Sequence, residues 1–251
     1  MRIDKYLTDK FKSRTKAQTA IKKGLVLING KTVDVSYNIR EIDQITILDA
    51  EENYVSAGGF KLAKAIKDFN VEVCGKVFAD VGASNGGFTD CLLQNAAKKV
   101  YCIDVGESQL DETLLDKNVV VIDNFNAKNL SKDLFEEKLY GVVIDVSFIS
   151  LTYILKPVAD VLDDGGEVFA LIKPQFECEN RKVGKNGIVK DAKTHEKIIQ
   201  KIYDFANLCN LAPVNLTNAP IIFGKNYEYI VHLVKNGNPK PIKSLINNIK
   251  L

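Results

Sequence analysis

The stretch DVGASNGGFTD, Asp80 to Asp90, places three glycines behind the apolar run VFADV. Glycine has no Cβ, so such a backbone can take positive φ or let a ligand lie directly on it. The order here is GxxxGG, whereas dinucleotide folds space their glycines as GxGxxG, and no GK[ST] of a phosphate-binding loop is present. A plain tight turn from strand to helix would use the same glycines. Two later apolar runs also end in acids, YCID at Asp104 and VVVID at Asp123. A nucleoside ligand with no phosphates to cradle suits this pattern, and S-adenosylmethionine is one. Gly82, Ala83, Ser84, Gly86, Gly87 and Phe88 would line the turn. Asp104, followed by Val105, suits a ribose diol. Asp123, followed by Asn124, suits the adenine amino group, and Asp80 the methionine end.

Positioning such groups takes a sheet whose strands end on one side. VFADV, VYCIDV, VVVI, GVVIDV and EVFALI read as buried strands, separated by stretches of roughly 15–25 residues with helical character. The fold class is therefore α/β with a mostly parallel sheet. The turn after its first strand lies at the switch point, where ligands bind. Near the end, NLTNAPII and YEYIVHLV follow each other with only FGKN between them, which predicts an antiparallel pair at the sheet's end.

Residues 1–50 read as a separate small α+β module. Ile3, Leu7 and Phe11, then Ala17, Ala20 and Ile21, predict two short helices, the second capped by Ser13 and ended by Gly24. LVLINGKTV predicts a hairpin whose Asn29-Gly30 pair suits a type I′ turn, and QITIL a further strand. Apolar periodicity lapses at the acidic AEEN, so residues 51–55 form the expected linker and 56–251 the second domain.

The chain of 251 residues is 46% hydrophobic, enough for a sizeable core, and carries a net charge of only +2. That charge is uneven: residues 1–31 hold nine Lys/Arg against two Asp, and the remainder is net acidic. A local contact with a polyanion is expected. The five cysteines never form CxxC and only two histidines exist to join them, which predicts reduced thiols and no metal site. The charged N-terminus and the lack of long apolar runs predict a cytoplasmic protein with no membrane partner.

MRIDKYL, SRTKAQTAIKKGLVLING, YVSAGGFKL, DVGASNGGFTDCLLQ, DVSFISL and KPQFE with VGKNGIVKD together resemble the TlyA family of ribosomal RNA 2′-O-methyltransferases. The resemblance implies an S-four-type RNA-binding domain followed by an FtsJ-like domain built on the Rossmann-like class I methyltransferase sheet. It implies methylation of cytidine ribose in ribosomal RNA, alone or within a ribosomal subunit. The lean towards large-subunit RNA comes from similarity to the family's shorter members. The family's Lys-Asp-Lys-Glu set falls on Lys61, Asp145, Lys173 and Glu228. A ribose 2′-hydroxyl must lose its proton as it attacks, and Lys173 is the expected base. Burial and the neighbouring Lys61 would favour its neutral amine, while Asp145 and Glu228 orient the pair and pull towards ammonium. Where the family shows SRG the chain has Ser56-Ala57-Gly58, and Phe125 stands where the family tends to have threonine.

Arg2, Lys5, Lys12, Arg14, Lys16, Lys22 and Lys23 are the expected phosphate contacts of the small module. Lys182 and Lys185, in the glycine-bearing loop of residues 179–191, could fold over RNA. Tyr6 and Phe11 are expected in the core, which favours recognition of shape and backbone. Three rivals differ in class: an inactive methyltransferase fold serving as an RNA-binding assembly factor, a membrane-active haemolysin, and a base-nitrogen methyltransferase. The last would carry [DN]PP[YF] where this chain has DVSF.

Overall fold

A computed structural model describes the whole chain except residues 12, 23, 48–53, 108, 116–117, 179–186 and 221–225. The chain divides into two compact units. The first is Met1–Asn53, and the second comprises Tyr54–Pro220 and Asn226–Leu251.

In the first unit, α1 (Ile3–Tyr6) and α2 (Arg14–Lys22) precede a small antiparallel sheet of β1 (Val26–Ile28), β2 (Lys31–Thr32) and β3 (Ile45–Ile47), in the order β2-β1-β3. Ser13 Oγ accepts the Lys16 amide at 3.1 Å, which caps α2 as its sequence suggests, and Gly24 ends it at φ +76°. Asn29 and Gly30 take φ of 53° and 77°, and Ile28 pairs with Lys31, so the hairpin turns in two residues. Ile3, Leu7, Ala17, Ala20 and Ile21 are buried. Tyr6 is 53% exposed, contrary to the expectation that it joins the core. One helical turn has a single buried edge, and Ile3 and Leu7, four residues apart, occupy it.

The second unit opens with α3 (Ala57–Phe69) and then alternates β4 (Val77–Val81), α4 (Gly87–Gln94), β5 (Lys99–Ile103), α5 (Glu112–Leu115), β6 (Val119–Ile122), β7 (Gly141–Ile144), α6 (Leu155–Val161) and β8 (Glu167–Ile172). It continues through α7 (Pro174–Glu177), α8 (Ala192–Leu208), β9 (Leu211–Asn218), β10 (Tyr229–Lys235) and α9 (Ile242–Ile246). The seven strands lie in the order β6-β5-β4-β7-β8-β10-β9. β4 to β8 are parallel, while β10 runs antiparallel between β8 and the edge strand β9. Pro213 sits on that edge, where a missing amide is tolerated, beside a register shift at His232/Leu233.

Strand residues alternate between two apolar layers. Val77, Ala79, Val81, Val142 and Ile144 face one layer, and Phe78, Val100, Cys102 and Val143 the other. Burial on both faces explains why these strands read as continuous apolar runs. Because β4 pairs with β5 on one side and β7 on the other, the crevice between diverging connections opens beyond the carboxyl end of β4.

The N-terminal ends of α3 and α4 meet through glycine. A Cβ at Gly87 would lie 2.2 Å from Ser56 Oγ and 3.0 Å from the Gly59 amide nitrogen. This approach fixes the helix that carries Lys61. Gly87→Ala should therefore lower unfolding free energy by about 1–3 kcal/mol in urea titrations. Adding Ser56→Gly, which removes the nearer atom, should restore part of that loss.

Candidate active site

Four side chains from four different elements converge beyond the strand ends. Lys61 projects from the second turn of α3, and Asp145 and Lys173 immediately follow β7 and β8. Glu228 immediately precedes β10. Asn226 holds Glu228's segment by accepting the Val189 amide and donating to the Gly187 carbonyl, each at 2.7 Å. The ionic groups form a chain. Glu228 Oε2 lies 2.7 Å from Lys61 Nζ, which is 4.0 Å from Asp145 Oδ2. Asp145 Oδ1 forms an ion pair with Lys173 Nζ at 2.6 Å, and Lys173 Nζ donates to Ser147 Oγ at 2.9 Å. All four side chains are at least four-fifths buried. Burial alone would depress the Lys61 ammonium, but the carboxylates of Asp145 and Glu228 outweigh it and hold Lys61 above its ordinary value.

Two cavities adjoin this chain. The larger, of about 400 Å³, is lined by Gly82, Ser84, Asp104 and Val105 on the glycine side and by Phe125, Asn126 and Lys128 across from them. The smaller, of about 180 Å³, is lined by Ser56, Gly58, Ala83, Asn85, Gly87, Phe88 and Lys173. Gly82, Ser84, Asp145 and Ser147 line both. The cradle depends on glycine: a Cβ on Gly82, at φ +84°, would lie 2.8 Å from the Asp145 carbonyl oxygen. Asp104 is held ready, accepting the Ser84 amide at 2.9 Å through Oδ2 and the Gly106 amide at 3.2 Å through Oδ1. Apolar walls, one fixed acid and a volume suited to a nucleoside fit S-adenosylmethionine.

Not every sequence-predicted residue reaches these cavities. Asp123 and Asn124 are exposed and line neither one; the turn they form is tied to residues 104–106 through the Asn124 and Phe125 amides, and Phe125 and Asn126 face the cavity instead. Gly86 packs against Leu110 and Leu114, where a Cβ would approach within 2.6 Å. Asp80 is fully buried and lines neither cavity: its Oδ2 accepts the Thr89 amide and hydroxyl at 3.0 and 2.7 Å, pinning the start of α4. Arg2, Lys5, Arg14, Lys16 and Lys22 are exposed on the first unit, and Lys12, Lys23, Lys182 and Lys185 lie outside the described residues.

Three residues beside the reacting groups went unassigned in the sequence reading: Ser147, Phe148 and Phe176. Phe148 is 91% exposed and takes φ of +64°, a strained backbone for a bulky side chain. It lines the larger cavity, and its ring lies 4.9 Å from that of Phe176. An aromatic three residues after a strand-end acid was the available signal. Among the described residues no group of His, Cys, Asp and Glu could hold a metal, and no helix is long and apolar enough to cross a membrane.

A family model described as FtsJ-like methyltransferase matches residues 54–235, and one described as S4 domain matches residues 1–45. "Hemolysin A" of Brachyspira hyodysenteriae is 41% identical over 240 residues, covering 93% of this chain and 100% of that protein. The "16S/23S rRNA (cytidine-2'-O)-methyltransferase TlyA" of Mycobacterium tuberculosis, strain H37Rv, is 34% identical over 238 residues, with 92% and 89% covered. A solved structure from Streptococcus thermophilus, provisionally named a hemolysin, is 36% identical with a TM-score of 0.75, covering 98% of this chain and 94% of that one.

Burial, with the charges of Asp145 and Asp104 in addition, pushes Asp80 up to about 7 against the pull of its Thr89 hydrogen bonds. An unfolded aspartate ionises near pH 4, so between those values the native state holds a proton that the unfolded chain lacks. Stability should accordingly fall as pH rises through that window. Relative to wild type, ligand-free Asp80→Asn should gain roughly 1–4 kcal/mol at pH 8 compared with pH 5 in urea titrations.

Proposed function

The chain belongs to the FtsJ-like methyltransferase family over residues 54–235, with an S4 domain over residues 1–45, and from that premise we propose that it methylates the 2′-hydroxyl of a cytidine ribose in ribosomal RNA, in the cytoplasm, with S-adenosylmethionine as donor. The observation that carries the reading is Lys173, 2.6 Å from Asp145, at the rim of a cavity that shares Gly82, Ser84, Asp145 and Ser147 with the larger donor-sized one. Gly82, Ser84, Asp104, Val105 and Phe125 would hold the donor. Bound there, S-adenosylmethionine supplies a methyl group on a positively charged sulfur.

The acceptor hydroxyl is a weak acid, so its proton must find a base within hydrogen-bond reach. Lys173 is that base. At rest its ammonium is paired with Asp145, and the productive form is the neutral amine, with Ser147 Oγ as a second partner to orient Nζ. Lys61 keeps its charge and competes for the same carboxylate from 4.0 Å. Glu228 anchors Lys61. Phe148 offers an exposed aromatic face at the wall of the larger cavity, of the kind on which bases stack. In the S4 domain, exposed Arg2, Lys5, Arg14, Lys16 and Lys22 suit phosphate contacts.

Large-subunit RNA is the target we assign, and both ribosomal RNAs enter the test because the Mycobacterium relative is named for both. Mass spectrometry of ribonuclease fragments, after incubation with protein and donor, should find one methyl on a cytidine ribose. A methyl on a base, or on none of the RNA while donor binds, overturns the reading. Lys173→Ala and Lys173→Arg should each abolish transfer while donor affinity survives, since arginine keeps the charge and cannot serve as a base. Lys16→Ala should lower the log–log salt slope of RNA binding by about 0.7–0.9. For the hemolysin names carried by relatives, leakage from liposomes by the pure protein is the decisive assay.

A further inference from the structure

Asp145, Ser147 and Phe148 lie on the loop that follows β7, while Lys173 joins β8 to α7, which carries Phe176. An inner pair of contacts joins the two loops, Lys173 Nζ to Asp145 at 2.6 Å and to Ser147 at 2.9 Å. These are the contacts that must change when Lys173 exchanges a proton. Something outside the proton path has to keep the loops in place while they do.

We infer that Glu177 is a positioning residue: its buried carboxylate clasps the loop after β7 to the end of α7, setting Lys173 against Asp145 and Ser147. This rests on the proposed methyltransferase reading and deepens it. Glu177 Oε1 accepts the Leu151 amide at 2.7 Å, and Oε2 accepts the Ser150 hydroxyl at 2.6 Å. Lys201, from α8, donates to Oε2 at 3.0 Å and to the Glu177 carbonyl at 3.2 Å, so the buried charge is paired and its remaining acceptors are used. The carboxylate is almost wholly covered, at 2% exposure, whereas Lys201 is 45% exposed. Between this outer clasp and the inner contacts, the rings of Phe148 and Phe176 touch at 4.9 Å. α7 is only four residues long and begins at Pro174, so Lys173 and Glu177 are separated by a single stiff turn. A shift at Glu177 is therefore passed to Lys173 with little to absorb it.

The role separates from general stability by experiment on the full chain. Glu177→Gln keeps an acceptor for the Leu151 amide and removes the charge that Ser150 and Lys201 share. It should lower kcat by about tenfold or more, because small displacements of a reacting group are costly, while KM for RNA and donor affinity stay within about twofold. Ser150→Ala removes one donor of the clasp while the carboxylate keeps its charge and its Leu151 and Lys201 partners, and carries the same test should the first variant not fold; its kcat should fall by about threefold. A readout independent of turnover is the lysine ε-carbon NMR signal of Lys173, assigned by its loss in Lys173→Arg, which should move in both variants. The inference is overturned by kcat within about twofold of wild type in the folded variants, by a matching loss of donor affinity, or by an unmoved Lys173 signal. If the wild-type protein transfers no methyl at all, the methyltransferase reading fails by itself and the Lys173 signal alone decides the role of Glu177.

Discussion

One carboxylate shared between two ammonium groups organises the second unit. Asp145 presents Oδ1 to Lys173 at 2.6 Å and Oδ2 to Lys61 at 4.0 Å, and Glu228 closes the series on Lys61. Buried charges survive only when paired, and each of these ions has a neighbour of opposite sign. The set is neutral as a whole, which is what allows it to sit largely out of water. Its cost is borne because an unpaired lysine at this position would have no counter-charge and an isolated Asp145 none either.

The main chain makes that sharing possible. Asp145 follows β7 and Gly82 follows β4, neighbouring parallel strands, and the two backbones approach so closely that a Cβ on Gly82 would meet the Asp145 carbonyl. The glycine loop therefore does two jobs at once. It leaves space for a ligand on one side and lets the strand-end acid come close on the other. Asp80, which looked on sequence like a ligand contact, takes the more structural part of tying α4 to β4 through Thr89. The first unit shows a related economy. Asp4 is buried and receives Gln18 at 2.7 Å, with Arg14 and Arg2 near 3 Å, which hold its carboxyl well below the usual range. Two arginines expected to meet phosphate are thus fixed by a residue that never reaches the surface.

Much of this was legible beforehand. Helix caps and the Asn29-Gly30 turn are local, so Ser13, Gly24 and the hairpin follow from neighbouring residues alone. The inner parallel strands showed as uninterrupted apolar runs because both faces are buried, whereas VVVI, expected to be buried too, is the edge strand β6 and leaves Val121 exposed. Less visible was β9, which starts at Leu211, earlier than its clear alternation, because an edge strand containing Pro213 departs from a regular pattern. Tyr6 was misplaced for a similar reason: in a one-turn helix periodicity has too few residues to say which side faces water. Asp123 matched a strand-end acid by spacing, yet the turn's hydrogen bonds to residues 104–106 leave it in solvent and bring Phe125 and Asn126 to the cavity.

The sequence by itself determined the elements, the glycine loop, the basic first unit and, through resemblance, the four ionic residues, since all of these are written in types and short spacings. Only the tertiary structure decided which oxygen of Asp145 meets which lysine, that Ser147 joins Lys173, that Phe148 stands in solvent, and that Glu177 reaches across to Ser150 and Leu151. Those contacts join residues 26 to 84 positions apart. Strand order brings such residues together, and no local pattern in the chain encodes that order.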